Sequence, residues 1–180
     1  MTARLTAIDP AASQGKANAL LAGVKAKMGV VPNMMRTMAH SPALLEGYLA
    51  FSGALAKGAL PAVVREQLAL AVGQANGCEY CVSAHTLFAG RAGLSPEQIT
   101  WAREGVSNDP KTQAVLSLAL NIVETQGNVT DDQIDDAREA GLSDAEIAEV
   151  VGHVALSTLT NYFNNLAHTQ VDFPRVAVNV

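Results

Sequence analysis

Charge, aromatic side chains and cysteine are all scarce in this chain. Only 16% of the residues are charged, and they leave a net charge of -5 with a pI near 5.3. No Lys/Arg cluster is dense enough to follow a polyanion, which argues against nucleic acid as a partner. No run of about eighteen apolar residues is present, so no membrane partner is expected. The opening MTARLTAIDPAASQGKANALL lacks a charged segment, an apolar core and a cleavage site in sequence, so a cytoplasmic location is expected. No segment reads as a convincing strand. There are only two cysteines, spaced as C-x-x-C. A bridge between them would close a very short loop and stabilise little, which excludes a disulfide scaffold and fits a redox pair in a reducing compartment.

What the chain does have is apolar helix former. With 49% hydrophobic residues over 180 positions, it is long enough for one well-filled core, and a single all-α domain over 1–180 is expected. Residues 17–28 read as a helix stopped by Gly29, followed by a connector at Pro32 and a short helix over 33–39. Ser41-Pro42 supplies an N-cap and a first-turn proline for a helix on which Leu44, Tyr48, Phe51 and Leu55 form an apolar stripe, read as core. Met34, Met35 and Met38 read as adaptable packing, with the border of a substrate entrance as the other reading. Ser95, Thr130 and Ser143 open capping boxes with Gln98, Gln133 and Glu146, and Asp109-Pro110 starts an apolar helix broad enough to be central or subunit-facing. The first ten residues read as loose, and the tail 171–180, with Pro174 inside it, as an extended arm.

One stretch carries chemistry: Glu66 to His85, EQLALAVGQANGCEYCVSAH. Cys78 and Cys81 are three apart, and Cys81 and His85 four apart, so on a helix the three side chains share a face. Asn76-Gly77 breaks the preceding apolar run and puts Cys78 in the first turn of a new helix. Free N–H groups and the helix dipole favour a thiolate there, so a reactive thiol is expected. If the two helices pack antiparallel, Glu66 lies about 15 Å and His85 about 12 Å from the turn, at the usual rise of about 1.5 Å per residue. Carboxylate and imidazole can then meet, which would orient the ring and let it pass protons to or from Cys81. Tyr80, between the thiols, is a candidate pocket residue.

Glu66, eleven residues, Cys78-x-x-Cys81, three residues and His85 together resemble the active-site pattern of the AhpD-like alkylhydroperoxidases, within the carboxymuconolactone decarboxylase superfamily. The resemblance implies an AhpD-like all-helical fold and a homo-oligomer, a trimer or hexamer. It also implies a thiol-dependent peroxidase acting on alkyl hydroperoxides or hydrogen peroxide, with no cofactor and no metal. Cys81 would attack the peroxide, Cys78 would resolve the sulfenic acid into a disulfide, and Glu66 and His85 would relay protons. A dithiol electron donor, a lipoylated or thioredoxin-like protein, would restore the thiols. The chain departs from the best-known members at Tyr80, where they carry a histidine.

Sliding the chain by 83 residues lays Glu149 on Glu66, Phe163 on Tyr80 and His168 on His85, with Asn161 and Asn164 in the cysteine positions. Two related helical hairpins are therefore expected, a redox one over about 61–92 and a degenerate one over about 144–169. Other readings stand beside the peroxidase: a buried apolar cysteine pair, or a zinc site completed by His153 or His168. At the level of function the alternatives are a general disulfide oxidoreductase or redox sensor and a non-catalytic interaction module. His40 and His153 read as structural, His40 beside a cap and His153 as a packing histidine. Lactone decarboxylation would leave the C-x-x-C without a purpose.

Overall fold

The computed structural model describes residues 2–178. Among these residues the chain is all helix and connector. Its helices are α1 Gly15–Met28, α2 Asn33–Met38, α3 Pro42–Leu55, α4 Ala62–Ala75, α5 Glu79–Arg91, α6 Pro96–Arg103, α7 Pro110–Thr125, α8 Asp131–Glu139 and α9 Asp144–Ala167. Local chemistry sets the ends. Ser41 and Asp109 accept from the N–H three residues on, with a proline following, and Ser95, Thr130 and Ser143 make complete capping boxes. Gly29 closes α1 at φ 78, a left-handed position that glycine takes without a Cβ penalty.

The centre of the molecule is α4. Its residues from Gln67 to Gly73 are all buried, as expected of a helix surrounded on every side, and it packs against α5, α6, α7 and α9. The broad apolar face of α7 makes it α4's partner rather than the hub. One core lies between α4, α7, α8 and α9, around Leu68, Val72, Leu116 and Val150. A second joins α1, α2 and α3 to the cysteines through Leu21, Met35, Met38 and Leu45. A third packs α4, α5 and α6 together around Leu70 and Val82.

Several expectations shift. On α3 the fully buried residue is Leu45, while Phe51 is exposed, because α3 lies over the molecule's edge and its inward face is narrower than the stripe. The expected hairpin over 144–169 is one uninterrupted helix, α9. Its run from Asp144 to Ala167 contains no counterpart of the Asn76-Gly77 break, so nothing interrupts the backbone hydrogen bonds. The 83-residue echo therefore sets a two-helix hairpin against a single helix. The N-terminal segment lacks helix but is tied down: the N–H groups of Arg4 and Leu5 donate to Ala167 O, and that of Ile8 to Arg36 O. His40 Nε2 lies 2.8 Å from Thr6 O. The described part of the C-terminal arm carries neither helix nor strand and is tied to the body of the molecule. Asp172 accepts from Asn33 N–H, Val176 N–H donates to Ser83 Oγ, and Arg103 donates to Ala177 O. No helix among the described residues is long and apolar enough to cross a membrane.

Candidate active site

The turn between α4 and α5 places the cysteines. Gly77 adopts φ +61, and Cys78 N–H reaches back to Gly73 O at 2.9 Å, so the chain reverses in a few residues. α4 and α5 are in close contact here, since a Cβ on Gly73 would lie at ordinary van der Waals distance, 3.6 Å, from Cys81 Cβ. Cys78 is the N-cap of α5, its sulfur accepting from Cys81 N–H at 3.2 Å. Cys81 follows within the first turn, and the two are joined in a disulfide with their Cα atoms 5.3 Å apart.

The two sulfurs have different surroundings. Cys78 is 0% exposed, closed off by its own turn, whereas Cys81, 3% exposed, forms part of the wall of a cavity of about 600 Å³. That volume suits a small organic molecule. Much of the lining is apolar or aromatic, from Leu20, Met34, Met35 and Leu49 to Phe88 and Phe173, so two of the three methionines border it. Phe173 comes from the C-terminal arm and meets Tyr80 and Phe88 edge to face at 5.5 and 5.7 Å. The arm thereby completes the wall.

Polar side chains share the wall, among them Glu66, His85, His153 and Asn164. His85 Nδ1–H donates to Glu66 Oε2 at 2.7 Å, so the antiparallel pairing of α4 and α5 brings the two together. With the proton held on Nδ1, a neutral ring presents Nε2 as its basic nitrogen. Asn164 of α9 donates from Nδ2 to Cys81 Sγ at 3.4 Å. Tyr80 is not a free proton donor. Its hydroxyl accepts from Met34 N–H at 3.1 Å, and burial, with Asp172 nearby, pushes its pKa far up. The phenol ties α5 to α2 and to the arm.

His153 lines the same cavity and is 8% exposed. Burial, reinforced by Arg65, lowers its pKa, so its ring is neutral. Its Nε2 has no hydrogen-bond partner among the described residues, so it is not the satisfied packing histidine of the sequence reading. The echo is not a second site either. Glu149 accepts from Ala59 N–H and Leu60 N–H, and its carboxyl is held below the usual range chiefly by these bonds. His168 ends α9 in a left-handed conformation at φ 50. Among the described residues no three His, Cys, Asp or Glu side chains converge as a metal site. Asn164 is a member of the site that the sequence reading did not single out, although the echo lays it on Cys81; His153, weighed there as a packing residue or a zinc ligand, lines the cavity instead.

Comparison with known proteins bears on the redox hairpin and on the fold separately. Residues 42–106 match the model of the carboxymuconolactone decarboxylase family, a segment that holds Glu66, Cys78, Cys81 and His85 but not Asn164, His153 or Phe173. A solved structure described as an AhpD core, an uncharacterized peroxidase-related protein from Ralstonia eutropha JMP134, is similar with a TM-score of 0.85 at 25% identity, covering 94% of this chain and 92% of that one. An uncharacterized peroxidase-related protein from Silicibacter sp. TM1040 has a TM-score of 0.78 at 19% identity, covering 92% and 91%. The debrominase Bmp8, in complex with 2,3,4-tribromopyrrole, also reaches 0.78, at 18% identity and covering 96% and 93%. No curated protein sequence matches the chain.

Proposed function

Because the chain is an AhpD-like protein of the carboxymuconolactone decarboxylase superfamily, we propose that it is a thiol-dependent peroxidase working through a dithiol/disulfide cycle. One observation carries the reading: Cys81 forms part of an apolar cavity with the His85–Glu66 pair, while Cys78 lies behind it, shut away and bonded to it.

In the reduced protein the Cys81 thiolate attacks the terminal, hydrogen-bearing oxygen of an alkyl hydroperoxide, or either oxygen of hydrogen peroxide. The O–O bond breaks, the leaving alkoxide takes a proton from the imidazolium of His85, and an alcohol or water departs. Glu66, holding Nδ1–H, stabilises the charged ring before the transfer. Cys78 then attacks the Cys81 sulfenic acid, water leaves, and the disulfide forms. Two electrons and two protons from a dithiol donor restore the thiols. The apolar wall supports an organic peroxide in preference to hydrogen peroxide, whose small polar body gains nothing from such a lining.

The seclusion of the disulfide bears on the donor. A thiol must reach Cys81 through the cavity, which a slender lipoyl arm can do more readily than a folded thioredoxin-like surface. The same seclusion weighs against a general disulfide oxidoreductase, which would have to admit a protein disulfide. A reducing cytoplasm is the compartment in which such a dithiol would be recycled. Exposed Val151, Leu159, Tyr162 and Leu166 on α9, with Phe51 on α3, support assembly as a homo-oligomer.

The test is steady-state peroxide consumption with dihydrolipoamide as donor. Turnover should disappear in Cys81→Ser and fall about a hundredfold or more in His85→Ala, the usual scale for a lost proton-transfer group. A wild-type protein that exchanges with dithiols yet leaves alkyl hydroperoxide untouched would remove the peroxidase reading and leave the oxidoreductase.

A further inference from the structure

Asn164 stands where a thiolate needs a donor. It is 3% exposed, it projects from α9 into the cavity wall beside Cys81, and its Nδ2 lies 3.4 Å from Cys81 Sγ. A disulfide sulfur carries no proton, so only the amide N–H end of Asn164 has reason to face it; the carbonyl end would set lone pair against lone pair. A disulfide sulfur is also a poor acceptor. A buried amide aimed at one is poorly rewarded in the oxidised protein and well rewarded once the sulfur is an anion. The other end of the side chain is unserved, since Asn164 Oδ1 is buried with no partner among the described residues.

The helix N-terminus alone would favour the other sulfur. Cys78 is the N-cap and takes the Cys81 N–H, so the dipole and the capping bond stabilise a thiolate at the residue that has no access to the cavity. Something must hold negative charge on Cys81 instead, and Asn164 is the neutral donor whose bond to that sulfur comes from another helix.

We propose that Asn164 stabilises the Cys81 thiolate by donating its amide N–H to the sulfur, and that its free Oδ1 accepts the O–H of the sulfenic acid formed when Cys81 has taken an oxygen from peroxide. One side chain then serves both reactive states of the sulfur. The inference rests on Cys81 being the attacking sulfur, but not on the identity of the oxidant, so its test uses no peroxide.

In the Cys78→Ser background, where Cys81 is the only thiol, the rate of iodoacetamide alkylation is followed against pH. Asn164→Leu keeps the approximate shape and removes the donor. The midpoint should rise by about one pH unit, a roughly tenfold loss of thiolate below the midpoint, as expected for a lost hydrogen bond to an anion. Lys27, Tyr48, Arg65, Glu66, His85 and His153, the other titratable groups facing the cavity along with Tyr80, stay in place, so a merely structural role for Asn164 predicts no such displacement. An unchanged midpoint in a folded Asn164→Leu overturns the proposal. Where that variant does not fold, the reduced parent decides: the side-chain amide resonances of Asn164 should titrate with the Cys81 midpoint, and resonances that stay flat overturn it equally.

Discussion

Glu149 and Glu66 are superposed by the 83-residue echo, yet replacing them should produce opposite phenotypes. Glu149 Oε1 accepts from Ala59 N–H at 2.7 Å and Oε2 from Leu60 N–H at 2.9 Å. These bonds fix the α3–α4 connector to α9, and a Cβ on Gly58 would collide with the carboxylate. The Ala59 N–H is exposed and can turn to water. Leu60 is 2% exposed, so its N–H cannot. An unmet buried donor costs about 1–3 kcal/mol and a hydrogen bond to a charged group contributes about 1.5–3 kcal/mol. With the exposed bond discounted, Glu149→Ala should lose about 2–3 kcal/mol. Glu149→Gln should lose about 1–2 kcal/mol, since its amide oxygen serves one N–H while its NH₂ faces the other. Urea unfolding at pH 7 measures both, and thiol reactivity per folded molecule should stay at the wild-type level. The pH dependence follows from the lowered pKa of Glu149. Its contribution is present above the ordinary glutamate pKa and is lost as pH falls through the lowered folded value, so the gap between wild type and variant narrows in acid. A Glu149→Ala protein of unchanged stability, or a stable one with lost thiol chemistry, would refute the assignment of scaffold to Glu149 and chemistry to Glu66.

Glu66→Gln should unfold with nearly wild-type urea dependence but slow peroxide turnover about tenfold or more, because His85 keeps an acceptor and loses its negative partner; steady-state assays at several pH values check this. Phe173→Ala removes two edge-to-face contacts, each contributing about 0.5–1.5 kcal/mol, and opens the cavity wall, so KM for a bulky hydroperoxide should rise more than kcat falls. Glu146, paired with Lys111 and capping α9, has its pKa lowered to about 2, chiefly by Lys111. Its stabilisation holds above the ordinary glutamate pKa and is lost as pH falls toward about 2, so Glu146→Gln should be less stable than wild type at pH 7 and the gap should close progressively as pH falls to about 2 in denaturant titrations.

The helix ends were legible because they are written in adjacent residues. Ser95, Thr130 and Ser143 each cap with a partner three positions on, and Gly29 and Gly77 supply backbone that other residues avoid. The C-x-x-C, His85 and Glu66 were legible for the same reason, since two helices around one tight turn fix their meeting by arithmetic. Asn164, His153 and Phe173 reach the cavity from α9 and from the arm, through packing that no local spacing encodes. Phe51 shows the same limit in reverse: its place on an apolar stripe is a property of α3, but whether anything covers that face is a property of the whole molecule. The continuity of α9 was readable because it has no proline and its one glycine, Gly152, lacks a turn-forming neighbour such as the asparagine before Gly77, while the echo pointed to a hairpin instead.

The most direct test of the account is thiol titration of the fully reduced protein before and after one equivalent of an alkyl hydroperoxide, run beside Cys78→Ser and Cys81→Ser. The account predicts that wild type rapidly loses both thiols, that Cys78→Ser stops at a trappable sulfenic acid, and that Cys81→Ser does not react. Thiols left intact in the wild type, or a Cys81→Ser protein that still consumes peroxide, would contradict it.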